Sequence, residues 1–170
     1  NHGQVCSFCF GTESETTAMR IARIDIDEAS LSAPSDQVEH ERKVAMFDLI
    51  EKNSFIPEGT SEGQGPFDLR LALEDNRLVF DITSADFARK IMLSLAPFKT
   101  MLRDYRMICE SYYEALKNAT PAQIESIDMG RRGVHNEGAE LLTERLSGKV
   151  VIDHETARRL FTLVNALVRS

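Results

Sequence analysis

The sequence predicts an α+β fold: a small antiparallel sheet, built from a three-stranded meander plus one or two further strands, with about four helices packed mainly on one face. Two observations lead there. Between residues 67 and 95 apolar and polar side chains alternate with a period of two, interrupted by Asp75-Asn76 and by Thr83-Ser84-Ala85-Asp86, which is turn chemistry. Four other stretches carry helical spacing behind recognisable start signals at Ser35, Pro97, Thr120 and Asp153. Strands with one apolar and one charged face belong to a sheet covered on one side; a parallel doubly wound fold would show continuous apolar strands between helices.

In chain order, Arg20 to Asp27 alternates Ala22, Ile24 and Ile26 against Arg23, Asp25 and Asp27, the pattern of a half-buried strand. Pro34-Ser35 opens a helix over Asp36 to about Asn53, with Val38, Val44, Met46, Phe47, Leu49 and Ile50 as its apolar stripe. Ser54 to Pro66 is rich in glycine and proline and reads as a flexible loop, long enough to be a candidate lid. The meander follows, with Phe67, Leu69, Leu71 and Leu73, then Leu78, Phe80 and Ile82, then Phe87, Ile91, Leu93 and Leu95 on one face. Pro97 suits a first helical position, and Phe98, Met101, Leu102, Tyr105, Ile108, Cys109, Tyr112 and Leu116 mark a core-facing stripe. Cys109 lies within that stripe and reads as a buried, inert thiol. Thr120-Pro121-Ala122-Gln123 is a capping box that starts another helix. Lys149 to Asp153 is a short strand, and Asp153 caps a last helix carrying Ala157, Leu160, Phe161, Val164 and Leu167.

Composition bounds the function. The chain has 170 residues, 20 Lys and Arg against 27 Asp and Glu, four His, three Cys and no Trp, for a net charge of -7. Such a balance is globular and argues against wrapping nucleic acid, which calls for a basic stripe. No apolar run approaches the roughly 20 residues that span a bilayer. The charge is uneven: residues 1–96 carry 9 basic and 17 acidic side chains, residues 97–170 carry 11 and 10. The second half can therefore gather cations around a small anionic ligand or an acidic protein partner.

Residues 1–18 contain no Lys or Arg, and the apolar run Val5 to Phe10 is too short for an export signal of about 7–15 residues with a basic flank. The expected location is the cytoplasm. Cys6-x-x-Cys9 has no second Cys or His pair to complete a zinc site and no strand–helix context for redox use. Residues 1–18 are thus expected to be a disordered leader or a misplaced start, ahead of one α+β domain over 19–170. No metal and no cofactor is expected: there is no Walker loop, dinucleotide fingerprint or Gly-x-Ser-x-Gly elbow.

The stretch Met129 to Gly138 departs from the rest. Gly130, Gly133 and Gly138 fall within nine residues, each costing roughly 1 kcal/mol in a helix interior relative to alanine. One arrangement breaks the helix around Gly130–Gly133. The glycine-rich turn and the following helix N-terminus then form an anion pocket, with Arg131, Arg132 and Asn136 as ligand-binding residues. His135 would be its acid/base, with Glu137 holding the imidazole tautomer, on a phosphorylated or carboxylated metabolite. The other arrangement runs one helix from Pro121 to about Leu146, with Gly138 admitting a neighbouring helix and Arg131 seeking a carboxylate. Elsewhere, Glu39-His40-Glu41-Arg42 reads as a solvated helix face, and Tyr112-Tyr113 as core and rim.

Several segments are specific enough to compare as they stand. Val38-Glu39-His40-Glu41-Arg42, Arg77-Leu78-Val79-Phe80-Asp81, Met107 to Ala115, Ile127 to Gly133, His135-Asn136-Glu137-Gly138 and Thr156 to Val164 resemble a small uncharacterised protein family of alphaproteobacteria, number two-six-two of the UPF series. The resemblance covers nearly all of residues 19–170 and implies a bacterial cytosolic protein. It brings no catalytic residue with it. A binding or interaction protein and a small enzyme both stay open.

Overall fold

The computed structural model describes residues 19–169, and Cys6 and Cys9 lie outside that range. The meander is present as expected: β3 (Phe67–Glu74), β4 (Arg77–Ser84) and β5 (Phe87–Ser94) pair antiparallel, with Leu71 opposite Phe80 and Phe80 opposite Ile91. Asp75 and Asn76 both take positive φ (50° and 62°), the backbone a two-residue hairpin needs to follow the strand twist.

β1 (Ile21–Ile26) joins the edge of β3 in parallel, so the sheet runs β1-β3-β4-β5 and is mixed rather than antiparallel throughout. Alternation reports which face a residue occupies but not strand direction. The direction comes from the long crossover through α1 (Asp36–Glu51), which returns the chain to run the same way. A register shift between Ile21 and Arg23 bulges β1. It puts Ile21 in the core together with Ile24 and Ile26, which strict alternation from Ala22 had missed.

The inner face of the sheet is closed by Phe67, Leu69, Leu71, Leu78, Phe80, Ile82, Ile91 and Leu93, all buried. On the outer face the register lines up Asp25, Arg70, Asp81 and Lys90 as a cross-strand row of alternating charge, with Arg70 ion-paired to Asp25. Opposite charges side by side stabilise the pairing modestly and keep this face hydrated.

The segment expected to be a lid is tied down. Phe55–Pro57 forms β2, antiparallel to β6 (Val150–Ile152), with Phe55 and Pro57 buried. Ser54 N–H donates to the buried Thr156 hydroxyl at 2.8 Å, and Ser61 with Gln64 makes a capping box within the rest of the stretch. Glycine and proline here mark tight turns, not mobility.

Helices α2 (Lys99–Asn118), α3 (Pro121–Leu146) and α4 (His154–Val168) complete the layer. The Thr120–Gln123 capping box and the Asp153 cap both form as the sequence reads. α4 is the central helix: α1 and α3 pack against it, and nine of its residues from Thr156 to Leu167 are buried. α1 turns Val38, Arg42, Ala45 and Leu49 inward and leaves Val44 and Phe47 exposed, so its apolar stripe is displaced from the one the sequence suggested. Arg42 occupies a position on that buried face. Among the described residues no helix is long and apolar enough to cross a membrane.

Candidate functional site

Residues 130–138 lie inside α3, whose single helix runs from Pro121 to Leu146. The glycine-rich turn and second helix N-terminus of the anion-pocket arrangement are therefore not formed. Gly138 shows why a helix tolerates glycine here. A Cβ at this position would sit 2.5 Å from the ring of Phe161 on α4, well inside van der Waals contact. Gly138 thus sets how closely α3 and α4 approach, and the packing of fully buried Phe161 offsets its poor helix propensity. A Cβ at Gly130 would meet the tip of Ile108 at 2.9 Å, while Gly133 has open space around it.

The long helix sorts the chemistry-bearing residues onto different faces. Asp128, Arg131 and Arg132 meet one turn apart: Arg131 Nη2 lies 2.5 Å and Arg132 Nε 3.1 Å from the two oxygens of the Asp128 carboxylate. The Arg131 hydrogen bond, followed by the charges of both guanidiniums, holds the Asp128 carboxyl below the usual carboxylate range. Arg131 also stacks over the Tyr112 ring at 4.7 Å, which fixes α3 against α2. Arg132 reaches outward and stays half exposed, and Asn136, one turn further on, is exposed beside it.

His135 points the other way, into the junction of α2, α3 and α4. Its ring stacks on Tyr105 at 5.2 Å and lies tilted beside Phe161 at 6.1 Å. Nε2 is 2.8 Å from the Arg158 carbonyl oxygen and 3.0 Å from the Thr162 hydroxyl, while Arg158 Nη2 approaches Nδ1 at 3.4 Å. These partners select the tautomer in which Nε2–H donates to the carbonyl and Nδ1 accepts from the guanidinium. Burial pushes the imidazole pKa down; the hydrogen bond to the Arg158 carbonyl opposes this, and the Arg158 charge reinforces it. The ring is neutral at neutral pH. Glu137 is exposed on a different face of α3 and does not reach it. The structure thus brings Arg131 and Arg132 together on Asp128 but separates His135 from Glu137.

A model of the Uncharacterised protein family (UPF0262) matches residues 18–170. The chain belongs to this family. Similar UPF0262 proteins include one from Caulobacter vibrioides, 58% identical over 148 residues, covering 87% of this chain and 92% of the relative. One from Phenylobacterium zucineum is 55% identical over 148 residues with the same shares, 87% and 92%. One from Rhodopseudomonas palustris is 52% identical over 157 residues, covering 91% of this chain and 95% of the relative. No solved structure matches the chain.

The segments that carry the family resemblance have structural work in the fold. Met107–Ala115, Ile127–Gly138 and Thr156–Val164 lie on α2, α3 and α4 and meet around His135. Val38–Arg42 clasps the far end of α4. There the reading of a solvated face holds for Glu39 and His40 and fails at Arg42, which is 5% exposed and donates from its guanidinium to the carbonyls of Ala166 (3.0 Å), Leu167 (3.3 Å) and Arg169 (2.8 Å). A buried cation at a helix C-terminus satisfies carbonyls that have no intrahelical partner. Burial lowers the Arg42 pKa, with the charges of Glu28 and Glu39 opposing that. Neighbouring Glu41 pairs with Arg169 at 2.5 Å. The signal that could have found Arg42 is its spacing, since Val38, Arg42, Ala45 and Leu49 share one helical face.

Near His135, Tyr105 lies beside Thr162 and Cys109, and burial raises its pKa to about 12. Cys109 is half-buried and also titrates high, again through burial, so it is a protonated thiol rather than a thiolate nucleophile. Tyr112 is half-buried under Arg131, outside the buried core its spacing suggested, and Tyr113 is exposed, the rim role its spacing suggested. Among the described residues, no group of three or more His, Cys, Asp or Glu side chains gathers in a way that could hold a metal ion.

Proposed function

We propose that this is a cytosolic binding or interaction protein, engaging a small anion or an acidic group on a partner through Arg132 and Asn136 without turning it over. The observation that carries this reading is the shared carboxylate. Among the described residues two guanidiniums rest on Asp128 alone, which leaves one positive charge of the cluster unmatched there, and Arg132 holds it on an exposed face. Exposed Met129 lies one turn before Arg132, and Gly133 leaves the backbone beside it uncovered, so a ligand or partner segment can lie close along this strip of α3. Arg132 makes its Asp128 contact through Nε, and its terminal nitrogens can make charge-assisted bonds to phosphate or carboxylate.

Acid/base turnover by His135 and Glu137 has less support. The imidazole uses both nitrogens on Arg158 and Thr162 and stacks under Tyr105, so its geometry is that of an interhelical bridge. A thermal-shift screen of phosphorylated and carboxylated metabolites tests the proposal. A cognate anion held at ~100 times its Kd is expected to stabilise the wild-type chain by about 2.7 kcal/mol. Arg132→Ala should keep its ligand-free midpoint and lose that stabilisation. If no anion shifts the wild type, or if the variant responds equally, Arg132 is not a recognition residue.

A further inference from the structure

A second feature lies away from the Arg132 strip and serves none of the roles above. α1, α2 and α4 enclose a cleft of about 310 Å³. Tyr105, Asn165 and Ala166 lie at its base, only 5%, 6% and 2% exposed, while Val44 and Tyr113 at its edge are 44% and 59% exposed. Its size is at the small end of the range for small-molecule sites, enough for a compound of one or two rings.

The residue that asks for explanation is Asn165. It interrupts the apolar run Leu163-Val164-Asn165-Ala166-Leu167, whose other four members are fully or almost fully buried. Its Oδ1 is buried and has no hydrogen-bond partner among the described residues. An unmatched buried acceptor costs on the order of 1–3 kcal/mol, which a leucine or valine would avoid. The nearby polar groups are differently placed. Thr162 bonds to the Arg158 carbonyl and His135, Tyr105 lies beside Thr162 and Cys109, and Glu41 pairs with Arg169. Among the described residues that line the cleft, Asn165 is the one with a buried side-chain atom that has no partner. The groups at the base are neutral at physiological pH, and the acidic side chains of Glu41 and Asp48 line the cleft as well. With Arg169, also in the lining, paired to Glu41, Asp48 leaves the cleft net negative, which disfavours an anionic ligand, and an uncharged ligand edge suits the base.

We propose that this cleft binds a small, planar, uncharged heterocycle through a lactam-type edge. With the Asn165 amide turned into the cleft, the ligand N–H donates to Asn165 Oδ1, its carbonyl accepts from Asn165 Nδ2, and the ring is flanked by Val44 and Tyr113. An amide side chain pairs with a cis-amide edge in two parallel hydrogen bonds, which matches both functions of Asn165 at once. The exposed apolar surface of Val44 and Tyr113 supplies the contact area that such a ring needs.

Nitrogen-edited NMR of the full chain tests this with uracil and pyridone as probes, each against its N-methylated derivative. The N–H compounds at millimolar concentration should move the Asn165 side-chain amide and the backbone signals of Val44 and Tyr113. The methylated ones should bind about tenfold or more weakly, the size expected when a buried hydrogen bond is left unmade. Asn165→Leu should melt no lower than wild type and lose the response to the same extent. Tyr113→Ala, at an exposed position, should keep the wild-type midpoint and weaken binding severalfold. Equal responses to methylated and unmethylated probes would overturn the proposal. So would the absence of any shift at the cleft, undiminished binding by Asn165→Leu, or a clear drop in that variant's stability, which would make the amide a structural group.

Discussion

Thr162 stands between two polar clusters that differ in one respect. On its α3 side, His135 has partners for both ring nitrogens, lies against Tyr105 and is bounded by the close contact of Gly138 with Phe161. On its α1 side, Asn165 lines a cleft with a buried oxygen that nothing described satisfies. A saturated group such as the His135 ring fixes the relative placement of helices, because each hydrogen bond is made only in that arrangement, although Arg158 beside it keeps a buried Nε without a partner among the described residues. An unsaturated one carries a standing cost in the folded state, which a ligand can remove. Of the conspicuous stretch of the sequence, His135 and Gly138 build the saturated side, while Arg131 and Arg132 lie on Asp128. The inconspicuous asparagine in an apolar helix marks the other.

The sharpest way to break the saturated side is to separate α3 from α4. Gly138→Ala gains about 1 kcal/mol of helix propensity but drives a methyl group to 2.5 Å from a fully buried phenyl ring. Three Phe161 ring atoms lie within 2.7 Å of that methyl position, and Tyr105 packs edge-on against the same ring at 5.4 Å, so relief requires helix displacement. We expect a net loss of about 2–3 kcal/mol, and a melting midpoint lower by roughly 5–10 °C, by urea and thermal unfolding. An unchanged midpoint would show that the ring moves freely and that Gly138 does not set the helix spacing.

What the sequence made legible follows from range. Caps and turns are local, so Thr120–Gln123, Asp153 and Asp75-Asn76 could be read from adjacent residues, and each is found in place. The meander was readable because its three strands are neighbours in the chain. The parallel pairing of β1 with β3 was not, since it depends on a crossover of some forty residues whose direction alternation does not encode. The continuity of α3 through Gly130, Gly133 and Gly138 was one of two arrangements the sequence allowed, and no local signal chose between them. It depends in part on Phe161, a residue of another helix. Arg42 and Asn165 share this reason: a charged or amide side chain scores as exposed until the elements around it are known. Arg131 and Arg132 were visible as a cluster, but Asp128 as their common partner emerges only once the helix is unbroken.

His135 gives a smaller and pH-dependent effect. Its folded pKa lies below the ordinary value of 6.5, mainly through burial, so the unfolded chain binds the extra proton first as pH falls. The stability from the neutral ring is therefore fully present above pH 6.5 and is lost as pH falls through the folded pKa. Protonation would also turn Nδ1 into a donor facing the Arg158 guanidinium. His135→Gln keeps a donor for the Arg158 carbonyl but loses the stacked ring, and should cost roughly 1–2 kcal/mol at pH 7.5. The gap between variant and wild type should narrow as pH is lowered towards 5, read from urea midpoints across the range. A gap that stays constant would mean that His135 contributes through packing alone.

The smallest expected effect separates the two roles of glycine within α3. Gly133 sits in the same helix as Gly138, five residues earlier, yet a Cβ there meets nothing within 4 Å. With no close approach to protect, Gly133→Ala should stabilise the chain by about 0.5–1 kcal/mol through helix propensity and a less flexible unfolded state. The same methyl group would project beside Arg132 on the exposed strip. If that strip lies against an anion or a partner, the alanine variant should be more stable alone yet bind less well, measured as a higher ligand-free midpoint with a smaller ligand-induced shift. A variant that gains stability and binds unchanged would limit recognition to the tips of Arg132 and Asn136 and remove the backbone at Gly133 from the contact.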